Sequence, residues 1–324
     1  MKVILIGGTE DEKEQLRHWL PAEHAIRILP RDAGQSGRFD AEIEPDDAII
    51  SLQFKRPDGK APDFRLLHVP GAGLDGIDFS AVPASCTVCN VFEHEIPIAE
   101  YVMLAMLEWE IRLSAMRQAF SSSPTEWPRL YRHREPHGEL YGKTVGIVGF
   151  GHIGQHIARR AKAFGMTVLA LARSRRAQPE AADGFFLPQE LNALLEQSDF
   201  VVIACPLTEQ TRHMIGAEQL AAMKPSGVLI NVSRGDIVVE RPLYEVLRDG
   251  RIGGAYLDVW YRYPAGVDDE TAPAAFPFDE LPNAVCTAHS SAWTSGLFQR
   301  RYKFIAENIL RVAAGARPLN IVEG

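Results

Sequence analysis

Cysteine is scarce in this chain: Cys86, Cys89, Cys205 and Cys286 are the four among 324 residues. That is too few for a disulfide framework at this length. Cys86-Thr87-Val88-Cys89 has C-x-x-C spacing, but it falls in an expected strand, where residues three apart face opposite sides. No second pair completes a zinc set. An excess of positive charge is also missing. The formal net charge is −8, which argues against the basic face that a nucleic-acid footprint needs. No apolar run approaches the ~20 residues that span a bilayer. Residues 1–8 hold too short an apolar core for a secretory leader and read as a first strand and turn. The expectation is a cytoplasmic protein with neither nucleic-acid nor membrane partners.

What is present is ordinary for a soluble α/β protein: 46% hydrophobic and 23% charged residues, enough to bury a large core. The length fits about two domains. Short apolar runs at 3–6, 25–29, 48–52, 66–69 and 87–91 alternate with helix-like segments, the pattern of an open parallel sheet. Gly71-Ala72-Gly73 follows the fourth run, where backbone N–H groups past a strand's carboxyl end can meet a ligand anion. Residues 96–120 keep one apolar stripe through Ile98, Val102, Ala105, Met106, Trp109, Leu113 and Met116. They predict one long connecting helix, with Pro97 in its first turn. Residues 121–142 read as a loop-like arm, rich in Arg, His, Trp and Tyr, suited to a subunit contact. A second alternation, with strands near 144–149, 167–172, 200–204, 228–231, 254–259 and 284–287, predicts a second doubly wound domain. A last helix, about 296–314, returns to the first domain. The expected domains are 1–95 plus 296–324, for substrate, and 96–295, for a dinucleotide, with a cleft between them.

The chain is organised around Gly149-Phe150-Gly151-His152-Ile153-Gly154, which follows an apolar strand and opens a segment with helical spacing. This is the context that the G-x-G-x-x-G dinucleotide fingerprint requires. Gly149 serves the tight turn, Gly151 the approach of backbone N–H groups to a pyrophosphate, and Gly154 close helix–strand packing. The helix N-terminus supplies partial positive charge. His152 and His156 share one face of that helix, as His133 and His137 share a spacing of four. The first pair has no third ligand nearby and Pro136 spoils a helix at the second, so no metal is expected. The following strand ends in Arg173-Ser174-Arg175-Arg176, with no carboxylate to hold a ribose 2′-OH. Arginine forks match a 2′-phosphate, so NADP(H) is expected ahead of NAD(H), with NAD(H) possible.

Several segments together resemble the D-isomer-specific 2-hydroxyacid dehydrogenases. They are the run from Glu139 into the glycine loop, Cys205-Pro206-Leu207-Thr208-Glu209-Gln210-Thr211, Asn231-Val232-Ser233-Arg234-Gly235-Asp236 and Leu257-Asp258-Val259-Trp260. The resemblance spans about residues 66–320. It implies two Rossmann-like domains, the first flavodoxin-like and discontinuous, and usually a homodimer. It also implies hydride transfer between nicotinamide and a 2-oxo or 2-hydroxy acid. By the same resemblance, Arg234 grips the substrate's carboxylate and carbonyl oxygen, and His289 is the general acid/base. Asp258 accepts from the nicotinamide carboxamide, and Ala72 and Gly73 offer backbone donors to the carboxylate. Cys205, Pro206, Thr211, Val232 and Ser233 line the cofactor beside the glycine loop.

The sequence departs from that pattern at two positions. Where relatives place a glutamate that pairs with the histidine, this chain has Tyr263. A phenol, with a pKa of about 10, is neutral at pH 7 and cannot stabilise an imidazolium as a carboxylate does. Where relatives usually carry a small polar residue, often Asn, this chain has His94. The expectation is an active enzyme with a rearranged acid/base apparatus, His94 or Tyr263 assisting His289. Two alternatives stand beside it. One is a formate-like hydride-donor dehydrogenase, whose relatives carry Gln at the Tyr263 slot and share Asp-Val-Trp and the serine at Ser291. The other is a non-catalytic NADP(H)-sensing binding protein.

Overall fold

The structure is a computed structural model that describes residues 1–57, 59–122, 124–174, 181–264, 266 and 268–322. The chain divides into two compact units, Met1–His94 with Trp293–Gly324, and Glu95–Ala292.

The first unit holds five parallel strands, β1 (Val3–Ile6), β2 (Ile26–Leu29), β3 (Ala48–Ile50), β4 (Leu66–His68) and β5 (Thr87–Cys89), in the order β2-β1-β3-β4-β5. The order reverses between β1 and β3, as in flavodoxin-like sheets. Side chains alternate between two buried layers. Ile4, Ile6, Leu67 and Val88 face one, while Val3, Leu5, Leu66 and Cys89 face the other with Tyr302, Ile305 and Ile309 of the C-terminal helix. The period-2 rule thus separates the C-x-x-C pair: Cys86 packs against the first layer and Cys89 lies in the second. Burial pushes both thiols up to about 12, so they stay protonated at neutral pH.

Among the described residues, the helical half of the expected alternation is largely missing between β1 and β5. One α-helix, α1 (Glu10–Trp19), follows β1, with Thr9 and Glu12 forming a capping box. The other connections up to β5 are short 3₁₀ turns, Arg31–Gly34 and Gly37–Glu42, and irregular loops.

The second unit opens with α2 (Glu95–Ile111). The long helix expected from the stripe is broken here. Arg112 takes a left-handed φ of 56°, and a new helix, α3 (Leu113–Ser122), starts with the Ser114 N–H donating to the Glu108 carboxylate at 3.0 Å. Ile98, Val102, Ala105 and Met106 are buried, whereas Leu113 and Met116 of the same stripe are exposed. Residues 121–142 also carry a short helix, α4 (Trp127–Arg132), rather than being loop throughout.

A seven-stranded parallel sheet follows, built from β6 (Thr144–Val148), β7 (Thr167–Leu171), β8 (Gly184–Phe186), β9 (Phe200–Ile203), β10 (Val228–Asn231), β11 (Gly254–Leu257) and β12 (Ala284–Cys286), in the order β12-β11-β10-β9-β6-β7-β8. The half-buried edge strand β8 has only Gly184-Phe185-Phe186 to announce it and was not expected from sequence. Helices α5 (His152–Ala163), α6 (Leu191–Gln197), α7 (Ala217–Ala222) and α8 (Glu240–Arg248) connect the strands, and α9 (Ser295–Ala313) belongs to the first unit. Strands β6 and β9 are neighbours where the order reverses, which is where open α/β sheets bind ligands.

Candidate active site

The glycine loop leaves β6 at this reversal, and each glycine has a distinct physical reason. Gly149 has a φ of +105°, and a Cβ there would lie 2.5 Å from the Cys205 backbone nitrogen just past β9. At Gly154 a Cβ would sit 2.2 Å from the Gly149 carbonyl oxygen, so any side chain would lift α5 off the loop. At Gly151 a Cβ would meet nothing within 4 Å. Gly151 is also the N-cap of α5, and no side chain caps that helix. Open space before an uncapped helix N-terminus suits a phosphate group, so these residues fit a dinucleotide. Phe185 of β8 packs edge-on against Phe150, with centroids 5.4 Å apart, and steadies the loop from the side.

Two further turns close around it. The Ser233 hydroxyl donates to the Cys205 carbonyl, and the Thr211 hydroxyl donates to the Pro206 carbonyl at 2.7 Å. Val232 and Cys205 are buried beneath. Asn231, the last residue of β10, is almost fully buried and shapes the turn that bears Arg234. Its amide donates to the Arg234 carbonyl at 3.0 Å, and its oxygen accepts from Ser233 N–H at 3.1 Å. A Cβ on Gly235 would lie 2.5 Å from the Trp260 carbonyl, so glycine lets the arginine turn press against the chain that leads to Tyr263.

The third element is the segment from β12 to Ala292. Asp258 is completely buried, and its two oxygens take three hydrogen bonds from this segment. Thr287 Oγ1 (2.6 Å) and Ser290 N–H (2.7 Å) donate to Oδ1, and Ser291 N–H (2.9 Å) donates to Oδ2. Tyr101 Oη lies 2.8 Å from Thr287 Oγ1, and Trp260 Nε1 donates to the Thr287 carbonyl at 2.8 Å. Between these anchors His289 is held at a left-handed φ of 56°. The job the structure gives Asp258 is therefore to hold the histidine loop. The sequence carries no signal for that job, because the three donors lie 29, 32 and 33 residues downstream.

Tyr263 reaches the same histidine. Its hydroxyl lies 3.0 Å from His289 Nδ1 and accepts from Trp260 N–H at 3.1 Å. Lost hydration around the imidazole lowers the His289 pKa; the Asp258 carboxylate opposes this and the Arg234 guanidinium reinforces it.

In the first unit, the Gly71-Ala72-Gly73 turn follows β4. Ala72 N–H donates to His94 Nε2 at 3.1 Å, and the Ala72 carbonyl accepts from Asn90 Nδ2 at 3.2 Å. Of the two residues expected to assist His289, the structure brings Tyr263 to that ring and engages His94 with the Ala72 turn. Arg173 and Ser174 are exposed past the end of β7, while Arg175 lies outside the described residues. Among the described residues, no group of three or more His, Cys, Asp or Glu is placed to hold a metal ion, and no helix is long and apolar enough to cross a membrane.

Residues 103–291 match the family model described as "D-isomer specific 2-hydroxyacid dehydrogenase, NAD binding domain". A glyoxylate reductase from Pyrococcus furiosus is 40% identical over 305 residues, covering 91% of this chain and 86% of that protein. A D-3-phosphoglycerate dehydrogenase from Methanocaldococcus jannaschii is 34% identical over 267 residues. That match covers 81% of this chain and 48% of the relative, so it spans about half of that protein's length. Among solved structures, an NADPH-dependent glyoxylate/hydroxypyruvate reductase from Sinorhizobium meliloti, in complex with NADP and sulfate, is similar in fold. Its TM-score is 0.73 at 23% identity, over 99% of this chain and 98% of that one.

Proposed function

The chain belongs to the D-isomer specific 2-hydroxyacid dehydrogenase family, and from that premise we propose that it is an NADP(H)-dependent reductase of small 2-oxo acids in which Arg234 binds substrate and His289 moves the proton. The observation that carries the proposal is the His289 loop. An imidazole is fixed by a buried aspartate beneath it and contacted at Nδ1 by a phenol, which leaves Nε2 as the nitrogen that can serve a substrate oxygen.

A nicotinamide cofactor, when bound, supplies or accepts the hydride. The Gly151–α5 N-terminus would hold its phosphates, together with His152 and Ile153 N–H groups and the turns at Cys205, Pro206, Thr211, Val232 and Ser233. Arg173, Ser174 and Arg175 would favour a 2′-phosphate, since a guanidinium fork matches its oxygens. Arg234 would orient the acid and polarise its C=O. In the reductive direction His289 starts as imidazolium and gives its Nε2 proton to the developing alkoxide, while Nδ1–H donates to the Tyr263 oxygen. That oxygen has a lone pair for this bond beside the one engaged by Trp260 N–H. In the oxidative direction the neutral ring, with Nδ1–H still on the phenol, takes the hydroxyl proton at Nε2. A phenol stabilises the imidazolium by a dipole rather than a charge, so the working pH for reduction should lie low.

The testing experiment follows the absorbance of NADPH, against NADH, with glyoxylate, hydroxypyruvate and bulkier 2-oxo acids. Turnover with NADPH preferred is expected. Binding of NADPH without reduction of any acid would favour a nucleotide-sensing role instead. The exposed Leu113, Met116, Phe120, Trp127 and Tyr131 on α3 and α4 support a homodimer formed through this arm.

A further inference from the structure

The Ala72 peptide is held at both ends by side chains. Asn90 donates to its carbonyl, and His94 accepts its N–H at 3.1 Å. Because Nε2 is the acceptor, the His94 ring carries its proton on Nδ1 and is neutral in this arrangement; an imidazolium has no acceptor nitrogen.

The histidine is aimed by its neighbour. Glu93 stands at a φ of 79°, a left-handed conformation that non-glycine residues seldom adopt. Arg300 of α9 holds it there: Nε donates to the Glu93 carboxylate at 2.8 Å, and Nη2 reaches the Glu93 carbonyl at 3.4 Å. One arginine thus grips both the side chain and the backbone of the residue before His94. Strain held in this way needs a surrounding structure that insists on it, and its product here is the direction of the His94 ring.

We propose that His94 is a built-in competitor for the substrate carboxylate. It occupies the Ala72 N–H that the turn would otherwise offer beside that of Gly73, and the incoming acid must displace it. This rests on the functional reading that the Gly71-Ala72-Gly73 turn seats the carboxylate. A carboxylate oxygen is a stronger acceptor than a neutral imidazole nitrogen because the bond is charge-assisted, so the acid wins the exchange. The displaced hydrogen bond is subtracted from its affinity, and His94 thereby sets that affinity. Arg300 acts through Glu93 as a positioning residue.

The test measures KM for glyoxylate and, on the NADPH-loaded protein, the calorimetric Kd of oxalate, an unreactive carboxylate. His94→Ala should lower both about three- to tenfold, the worth of one net hydrogen bond. His94→Gln, which restores an acceptor near the Nε2 position, should return both toward the wild-type values. Arg300→Ala should lower them in the same direction by a smaller factor, and it carries the test if His94→Ala does not fold. Constants that are unchanged, or raised, in His94→Ala and Arg300→Ala would overturn the proposal by making His94 only a brace. Wild-type protein that neither reduces any acid of the panel nor binds oxalate would overturn the functional reading, and this inference with it. Wild-type turnover with unresponsive variants overturns this inference alone.

Discussion

The hydroxyl of Tyr263 lies 3.0 Å from Nδ1 of His289, so a phenol stands against this nitrogen of the imidazole. The same oxygen accepts the Trp260 N–H, which pins the phenol in place. An uncharged partner gives the imidazolium little electrostatic support, and crowding around the ring already lowers its pKa.

Tyr263→Glu should therefore raise the His289 pKa. Reduction needs the imidazolium, whose population falls as pH rises through that pKa. The variant's descending limb should consequently move upward by about 1–2 pH units, the usual effect of an opposite charge at this range. The pH dependence of kcat/KM for 2-oxo acid reduction reads it. An unmoved limb would mean that residue 263 does not govern the histidine.

Asp258→Ala should release the loop that carries His289. Three donors, the Thr287 hydroxyl and the Ser290 and Ser291 N–H groups, lose a buried carboxylate. Hydrogen bonds to a charge are worth about 1.5–3 kcal/mol each, only part of which survives relaxation, so a loss near 3 kcal/mol is expected. Denaturant unfolding measures that, and kcat should fall about 100-fold while NADPH, titrated by fluorescence, still binds.

Arg173→Ala separates the two cofactors. Removing one guanidinium from the end of β7 should weaken NADPH about tenfold, as expected for a charge-assisted contact to a phosphate, and leave NADH nearly unchanged. Equal losses for both would place Arg173 elsewhere than at the 2′-phosphate.

His68 predicts an acid-sensitive fold. It is completely buried on β4, with Nδ1 3.2 Å from the Val69 carbonyl and Nε2 accepting from Asn308 of α9 at 3.0 Å. Burial lowers its pKa from 6.5 to about 4. Below pH 6.5 the unfolded chain binds a proton that the folded chain refuses, so stability falls with falling pH and reaches a loss of about 3 kcal/mol near pH 4. His68→Gln, which does not titrate, should flatten this limb in urea denaturation between pH 4 and 7.

The arm supplies a prediction about assembly. Phe120, Trp127 and Tyr131 form an exposed edge-and-tilt cluster, with centroids 6.1 and 5.3 Å apart. Trp127→Asp together with Met116→Asp should convert a dimer to monomer in light scattering at micromolar protein. A wild-type monomer would show that a second copy does not cover this face.

Much of this architecture was legible in the residues. The positions of Gly149 and Gly154 follow from sterics that glycine alone satisfies, and short continuous apolar runs such as Val3–Ile6 announced the strands. Tyr263 was legible as a departure because it stands at a fixed distance past Asp258. Less visible were features that depend on cancellation between local preferences. The stripe through Leu113 and Met116 keeps helical spacing across Arg112, yet the chain turns there and those side chains are exposed. In the first unit the segments between β2 and β5 read as helix-like, yet the described chain takes 3₁₀ turns and irregular loops there.

The sequence by itself determined the strands of both parallel sheets, the βα alternation of the second unit and the dinucleotide-type loop, because sterics and periodicity act over a few residues. Only the tertiary structure decided which polar groups meet. Asp258 finds Ser290 and Ser291 32 and 33 residues later. Tyr263 finds His289 across 26, Ala72 finds His94 across 22, and Glu93 finds Arg300 across 207. A buried donor or acceptor must be satisfied by whatever the fold brings within about 3 Å, and that distance is a property of the packed chain rather than of any segment of it.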